Sequence, residues 1–153
     1  MSKLKFSFEN AKLKGIWHFS LPSGFTCPGA FNCKTFADRD TGKIRDEQTP
    51  DADGVLYRCY AAMDEARRPN VRATRWHNFD LLKETKSVQD KVSLKCDSLP
   101  GAMKRGDGFL RVHVGGAFFD YNFFKAGMKA ATMFPRIHFF AYTKSVKILA
   151  QFI

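Results

Sequence analysis

Polar and apolar residues alternate in Leu4-Lys-Phe-Ser-Phe8, a period of two that predicts a strand. Lys14-Gly-Ile-Trp-His-Phe-Ser-Leu21 is a second strand segment and ends at Pro22. The loop Cys27-Pro-Gly-Ala-Phe-Asn-Cys33 then leaves that strand's C-terminal end. Residues 37–55 hold Asp38-Arg-Asp-Thr-Gly42 and Thr49-Pro-Asp-Ala-Asp-Gly54, rich in turn formers and poor in apolar side chains. They predict a surface excursion, in the form of a hairpin, ahead of Cys59. The spacing of its aspartates does not match an EF-hand loop, so they read as solvated turn residues.

From Tyr60 the period changes to that of a helix. Ala61–Arg67 predicts a short helix stopped near Pro69, because proline disfavours helical geometry in the residue before it. Val71–Leu82 predicts another, with Trp76, Phe79 and Leu82 on its apolar side and Arg72, Arg75 and Lys83 on or near the opposite one. Lys86–Leu99 is compatible with helix or loop. The last third is clearer: Gly108–Val114 is β-rich and ends at Gly115-Gly116, Phe118–Met133 is helical, and Ile137–Tyr142 is a strand after Pro135.

Residues 108–145 therefore form a strand–helix–strand unit, the signature of a parallel sheet with a crossover helix. Ligands of such sheets bind beyond the C-terminal strand ends. Gly115-Gly116, Thr143-Lys-Ser145 and the cysteine loop would all open on that edge if Ile16–Leu21 belongs to the same sheet.

Composition narrows the class. At 153 residues the chain is sized for one domain, 1–153, with a real core. Its 44% hydrophobic and 26% charged residues read as globular, and many of its 16 phenylalanines fall in the final third. No apolar run approaches the roughly 20 residues of a membrane span, and Met1–Phe6 is unlike a secretory signal. The expectation is a cytoplasmic protein without a membrane partner, its thiols reduced. A formal charge of +10 favours an acidic partner such as nucleic acid, with basic residues in short groups (Arg67-Arg68, Arg72 and Arg75, Lys104-Arg105).

Cys27, Cys33 and Cys59 are the candidate metal ligands. Soft thiolates favour zinc or an iron–sulfur centre, although buried thiols also serve as small hydrophobes. His77 or His18 would complete a closed Cys₃His zinc site. Cys96, distant in sequence, reads as packing. His113 alternates with Val112 and Val114 and is placed to face the ligand edge, against a structural role with satisfied nitrogens. Gly115-Gly116 is either a ligand-holding turn or a tight strand-to-helix turn, and Lys144 is placed to grip a phosphate or carboxylate. The sequence contains no nucleophile–base pair and no Walker-type phosphate loop.

Gly15-Ile-Trp-His-Phe-Ser-Leu-Pro22, Cys27-Pro-Gly-Ala30, Cys59-Tyr-Ala61, Arg75-Trp-His-Asn-Phe-Asp80, Arg111-Val-His-Val-Gly-Gly116 and Phe140-Ala-Tyr-Thr-Lys-Ser145 together resemble the phage gene-product-eighty-eight family. That family is in turn similar to divergent radical S-adenosylmethionine (SAM) proteins. The resemblance implies a [4Fe-4S] cluster on Cys27, Cys33 and Cys59, SAM as a further ligand of the cluster, and the SAM amino group held at the turn of Gly115, Gly116 and Ala117. Similar sequences carry an acidic residue where this chain has Ala117, which implies impaired catalysis. The implied fold is a partial, incomplete β/α barrel-like parallel sheet with an N-terminal cysteine-bearing loop, since a closed barrel takes about 200 residues or more. A phage origin places it in the host cytoplasm. An open sheet edge implies cover by a partner chain or a second copy, and a non-catalytic accessory subunit is the third functional reading beside cluster protein and basic nucleic-acid binder.

Overall fold

The computed structural model describes residues 2–50, 54 and 56–153. Asp51, Ala52, Asp53 and Val55 of the predicted excursion lie outside the described residues. Strand β1 (Ser7–Phe8) is shorter than the alternation over Leu4–Phe8 predicts. Side chains take the place of strand partners there: the Leu4 N–H donates to Ser98 Oγ at 2.9 Å, and Asn78 bonds both backbone groups of Lys5, at 2.7 and 3.0 Å. β2 (Trp17–Phe19) follows, and β3 (Thr35–Ala37) pairs antiparallel with β4 (Ile44–Asp46) as a hairpin whose first strand is buried and starts before the predicted excursion at 37–55.

Helices α1 (Tyr60–Arg67) and α2 (Pro69–Glu84) are separated by one extended residue, Arg68. Pro69 starts α2, where its fixed φ and missing N–H cost nothing. The expected outer face of α2 is wrong for two of its basic residues. Arg72 and Arg75 are only 7% and 4% exposed, because backbone carbonyls wait beneath them. Arg72 donates to the carbonyls of Glu65, Arg39 and Asp40 at 2.7, 3.0 and 3.3 Å.

Residues 86–99 resolve as helix α3 (Val88–Ser98), whose N-cap Ser87 accepts from the Asp90 N–H at 3.0 Å. After α4 (Gly101–Arg105) comes the unit read from sequence: β5 (Gly108–Val112), α5 (Tyr121–Thr132) and β6 (Ile137–Ala141), then α6 (Val146–Phe152). α5 starts later than Phe118 because Asp120 is its cap, accepting from the Phe123 N–H at 2.7 Å.

The main sheet has the order β1-β2-β5-β6. β5 pairs parallel with β2 (Leu110 opposite Trp17) and with β6 (Gly108 opposite Ile137), and β1 joins antiparallel. The fold is therefore mixed α/β with a mostly parallel, open sheet; among the described residues no barrel closes. Phe19, Leu21, Leu82, Phe118 and Phe123 form the central cluster, where each fully buried side chain contributes about 1.5–3 kcal/mol. Val92, Cys96, Ala126 and Ala130 join α3 to α5.

Candidate functional site

The chain leaving β2 is tied down before it reaches the cysteines. The Leu21 N–H donates to the Gly115 carbonyl at 3.0 Å, and the Ser23 N–H donates to Glu65 Oε1 at 3.0 Å. Thr26 Oγ1 donates to the Pro22 carbonyl at 2.7 Å and accepts from the Ala117 N–H at 3.3 Å. Tight turns then run through Cys27 N–H to Gly24 O (3.1 Å) and Ala30 N–H to Cys27 O (3.2 Å). Gly29 lies flat on the segment after β6: a Cβ there would sit 2.0 Å from the Lys144 carbonyl oxygen. A side chain cannot fit.

Cys59 reaches the same place from the far side of the hairpin, as N-cap of α1. Its N–H donates to Thr35 Oγ1 at 3.1 Å, and that hydroxyl also takes the Gln48 amide at 3.1 Å. Thr35 is fully buried just after Cys33, so one hydroxyl joins the two cysteine-bearing segments. Beneath α1, Glu65 and Arg75 form a buried ion pair at 3.3 Å, and Arg75 also donates to the Ala61 carbonyl at 2.9 Å. Burial pushes the Glu65 carboxyl above its ordinary range, with Arg75 and the Ser23 N–H opposing.

These segments enclose a cavity of about 390 Å³ at the C-terminal ends of β2, β5 and β6. Cys27, Cys33, Cys59, His113, Gly116, Ala117 and Lys144 all line it. Gly115 does not; its carbonyl and N–H serve Leu21 and Ser20, and the Arg75 guanidinium packs against its α-carbon. Gly116 has φ +78°, and a Cβ there would meet Thr26 Oγ1 at 2.5 Å, so the turn requires glycine. Tyr57, Tyr60, Arg58 and Arg111 are among the other residues of the wall. Sequence periodicity gives no sign of these four, nor of Thr35 or the Glu65–Arg75 pair.

Lys144 Nζ stands 2.8 Å from Cys33 Sγ and 3.4 Å from the Tyr57 hydroxyl. Burial alone would lower its pKa, but these two partners outweigh it and the ammonium is held above its ordinary value. Burial pushes the Cys27 thiol up to about 11, a shift to which the charges of Cys59 and Cys33 add. A bound cation would reverse that balance. The four cysteines are free thiols, and among the described residues no group of three His, Cys, Asp or Glu side chains is already arranged to hold a metal ion.

The wall also carries unpartnered polar atoms. Ser23 Oγ, Arg111 Nε and both ring nitrogens of His113 are buried without a hydrogen-bond partner among the described residues. Each such atom costs about 1–3 kcal/mol, and all three residues line this one cavity. His113 is thus not the satisfied structural histidine of the alternative reading. It sits at φ +70° against Phe118, ring centroids 4.6 Å apart, and burial followed by the charge of Lys95 lowers its pKa to about 3.

His18 and His77 do not reach the cavity. His18 Nε2 bonds the Glu9 carbonyl at 3.1 Å and His77 Nε2 the Lys3 carbonyl at 2.8 Å, so neither completes a Cys₃His site. Cys96 is buried between α3 and α5, its sulfur 3.7 Å from that of Met133. No helix among the described residues is long and apolar enough to cross a membrane. No curated protein and no solved structure matches the chain. The chain belongs to the gene product 88 family of phage proteins, whose sequence profile matches residues 2–153.

Proposed function

We propose that this member of the gene product 88 family holds a thiolate-ligated iron–sulfur cluster in the cysteine cavity, with SAM as companion ligand beside the Gly116-Ala117 turn. One observation carries the reading: thiols from the loop 27–33 and from the start of α1 line the same strand-end cavity as the glycine turn, His113 and Lys144. Thiolates suit iron–sulfur centres and zinc alike. Size favours the cluster, since four protein ligands close tightly around a structural zinc, whereas about 390 Å³ is a small-molecule volume. The sheet is then read as part of a β/α barrel.

By type the thiols suit the group, and holding it would require them to draw together, since among the described residues no metal-holding group is preformed. Cys27, Cys33 and Cys59 would hold it, while Lys144 and Arg111 would balance the negative charge of thiolates and sulfides. The buried Ser23 hydroxyl and Arg111 N–H would gain acceptors. A cluster bound there would supply one-electron chemistry. Gly116 and Ala117 line the cavity, and Ala117 offers no carboxylate to an ammonium, so SAM affinity should be low and catalysis impaired. The nucleic-acid reading draws less support, because two of its basic residues are buried, Arg72 on backbone carbonyls and Arg75 on Glu65.

Protein purified without oxygen should be brown and carry about four irons and four sulfides per chain, both lost in Cys59→Ala. Colourless protein that retains no iron after anaerobic reconstitution would overturn the cluster, and stoichiometric zinc would put the zinc reading in its place. Ala117→Asp should tighten SAM binding by about ten- to a hundredfold in calorimetric titration, the worth of one charge-assisted partner. A second reading, the accessory subunit, is favoured by Phe109 and Tyr142, which are 55% and 71% exposed beside the edge strand β6. Monomers by light scattering at high concentration would count against it.

A further inference from the structure

A second cavity, of about 270 Å³, lies between the sheet and helices α3, α5 and α6 and shares only Thr143 with the cysteine cavity. Its walls are hydrocarbon and aromatic: Phe19, Leu110, Val112 and Phe139 from the sheet, Ala130 from α5 and Leu149 from α6. Among the described residues one charged side chain lines it, Lys95 of α3. The Lys95 ammonium lies 3.9 Å from the ring centroid of Phe123 and 5.8 Å from that of Phe19. No carboxylate pairs with it among the described residues.

A lysine confined to such walls is a poor structural choice. Lys95 is half-buried; contact with aromatic faces replaces only part of the hydration these walls remove, and no carboxylate among the described residues makes up the rest. The arrangement is instead suited to a guest that brings its own negative charge and an apolar body. Phosphate is a poor match, because a dianion needs several donors and this wall offers one ammonium and, at the rim, Thr143.

We propose that this cavity binds a monocarboxylate with a medium-length hydrocarbon tail, its carboxylate paired with Lys95 and its tail against Phe19, Leu110 and Phe139. The volume is just below the roughly 300–1,000 Å³ of drug-sized pockets, which sets the tail length. Burial pushes the Lys95 amine down to about 7, Cys96 opposing and Lys91 reinforcing, and a carboxylate in the cavity would offset that shift.

The test titrates the full chain with decanoate and with decanol, two probes alike in tail and different in charge. Decanoate should bind about ten- to a hundredfold more tightly than decanol, the worth of a charge-assisted contact. Lys95→Met should erase that preference and leave decanol within about twofold, with a cooperative denaturation transition showing that the variant still folds. Gly127→Leu, whose side chain enters the same cavity from α5, should abolish both. Equal affinity for the two probes, a decanoate preference that survives Lys95→Met, or no binding of either to the unmodified chain would overturn the proposal.

Discussion

Gly29→Ala is the sharpest probe of how the cysteine loop is held. The added Cβ would stand 2.0 Å from the Lys144 carbonyl oxygen, 2.6 Å from its carbon and 3.1 Å from the Ser145 nitrogen, where ordinary contact begins at 3.4 Å. Each of these is backbone, so no rotamer change relieves the overlap. One of the two segments must withdraw by about 1 Å even to reach a crowded contact, and both are anchored. Ser145 donates its hydroxyl to the Phe118 carbonyl at 2.9 Å, and the cysteine loop is closed by its own turns. Overpacking of this kind costs about 1–3 kcal/mol.

Gly127→Ala is the matched control. Its Cβ meets nothing within 4 Å, and a helix interior gains about 0.5–1 kcal/mol from the exchange. Urea denaturation should therefore place the two variants on opposite sides of the parent, with midpoints separated by roughly 0.5 M or more at ordinary slopes. Mass-mapped alkylation adds a local readout: separating the two segments also pulls Lys144 from Cys33, so labelling of Cys33 should change in Gly29→Ala alone. The close packing of loop on strand end is refuted if Gly29→Ala lies within about 0.5 kcal/mol of the parent and leaves Cys33 labelling unchanged.

Two other perturbations have calculable signs. His113 is held neutral with a pKa near 3 against an ordinary 6.5, so the unfolded chain takes up a proton that the folded one refuses; its contribution is complete above pH 6.5 and drains away as pH falls. At about 1.4 kcal/mol per pH unit, the parent should lose roughly 2 kcal/mol more than His113→Asn between pH 7.5 and 5.0 in urea titrations. Asparagine tolerates the left-handed backbone at this position, and identical pH profiles would count against the burial of a neutral ring. Arg75→Met leaves the Glu65 carboxylate buried without its partner, so a loss of about 3–5 kcal/mol is expected at pH 7. Because the Glu65 pKa is raised in the fold, that loss should shrink as acid protonates the carboxyl. A loss independent of pH would contradict the pairing.

Much of the fold was legible because local rules and tertiary contacts agree. The β-rich run at Gly108–Val112, the helix over Tyr121–Thr132 and the strand Ile137–Ala141 follow one another in the chain, so their parallel pairing needs no distant information. Pro69 marks the break between α1 and α2 for a steric reason that any chain shares. Leu4–Lys5 fails as strand for the opposite reason. Its backbone groups are claimed by Ser98 and Asn78, from helices more than 70 residues away, and alternation alone cannot reveal a competing donor or acceptor.

The site divides along the same line. Cys27, Cys33, Gly116 and Lys144 come from loops that leave the ends of β2, β5 and β6, so strand direction alone brings them to one edge. Cys59 arrives there by contacts without a sequence signature: the Thr35 hydroxyl takes its N–H, and Glu65 one turn and a half later takes the N–H of Ser23 beside the cysteine loop. Glu65 in turn is held by Arg75, a residue that both its charge and its place opposite the apolar side of the helix assign to solvent. What decides is the set of acceptors beneath it, the Ala61 carbonyl and the two carboxylates of Asp64 and Glu65. An arginine with five donors can be satisfied in a dry interior when carbonyls and carboxylates are already in place. The third cysteine is therefore positioned by an ion pair that periodicity assigns to the surface, and its arrival at the cavity depends on polar chemistry rather than on the apolar pattern that builds the sheet.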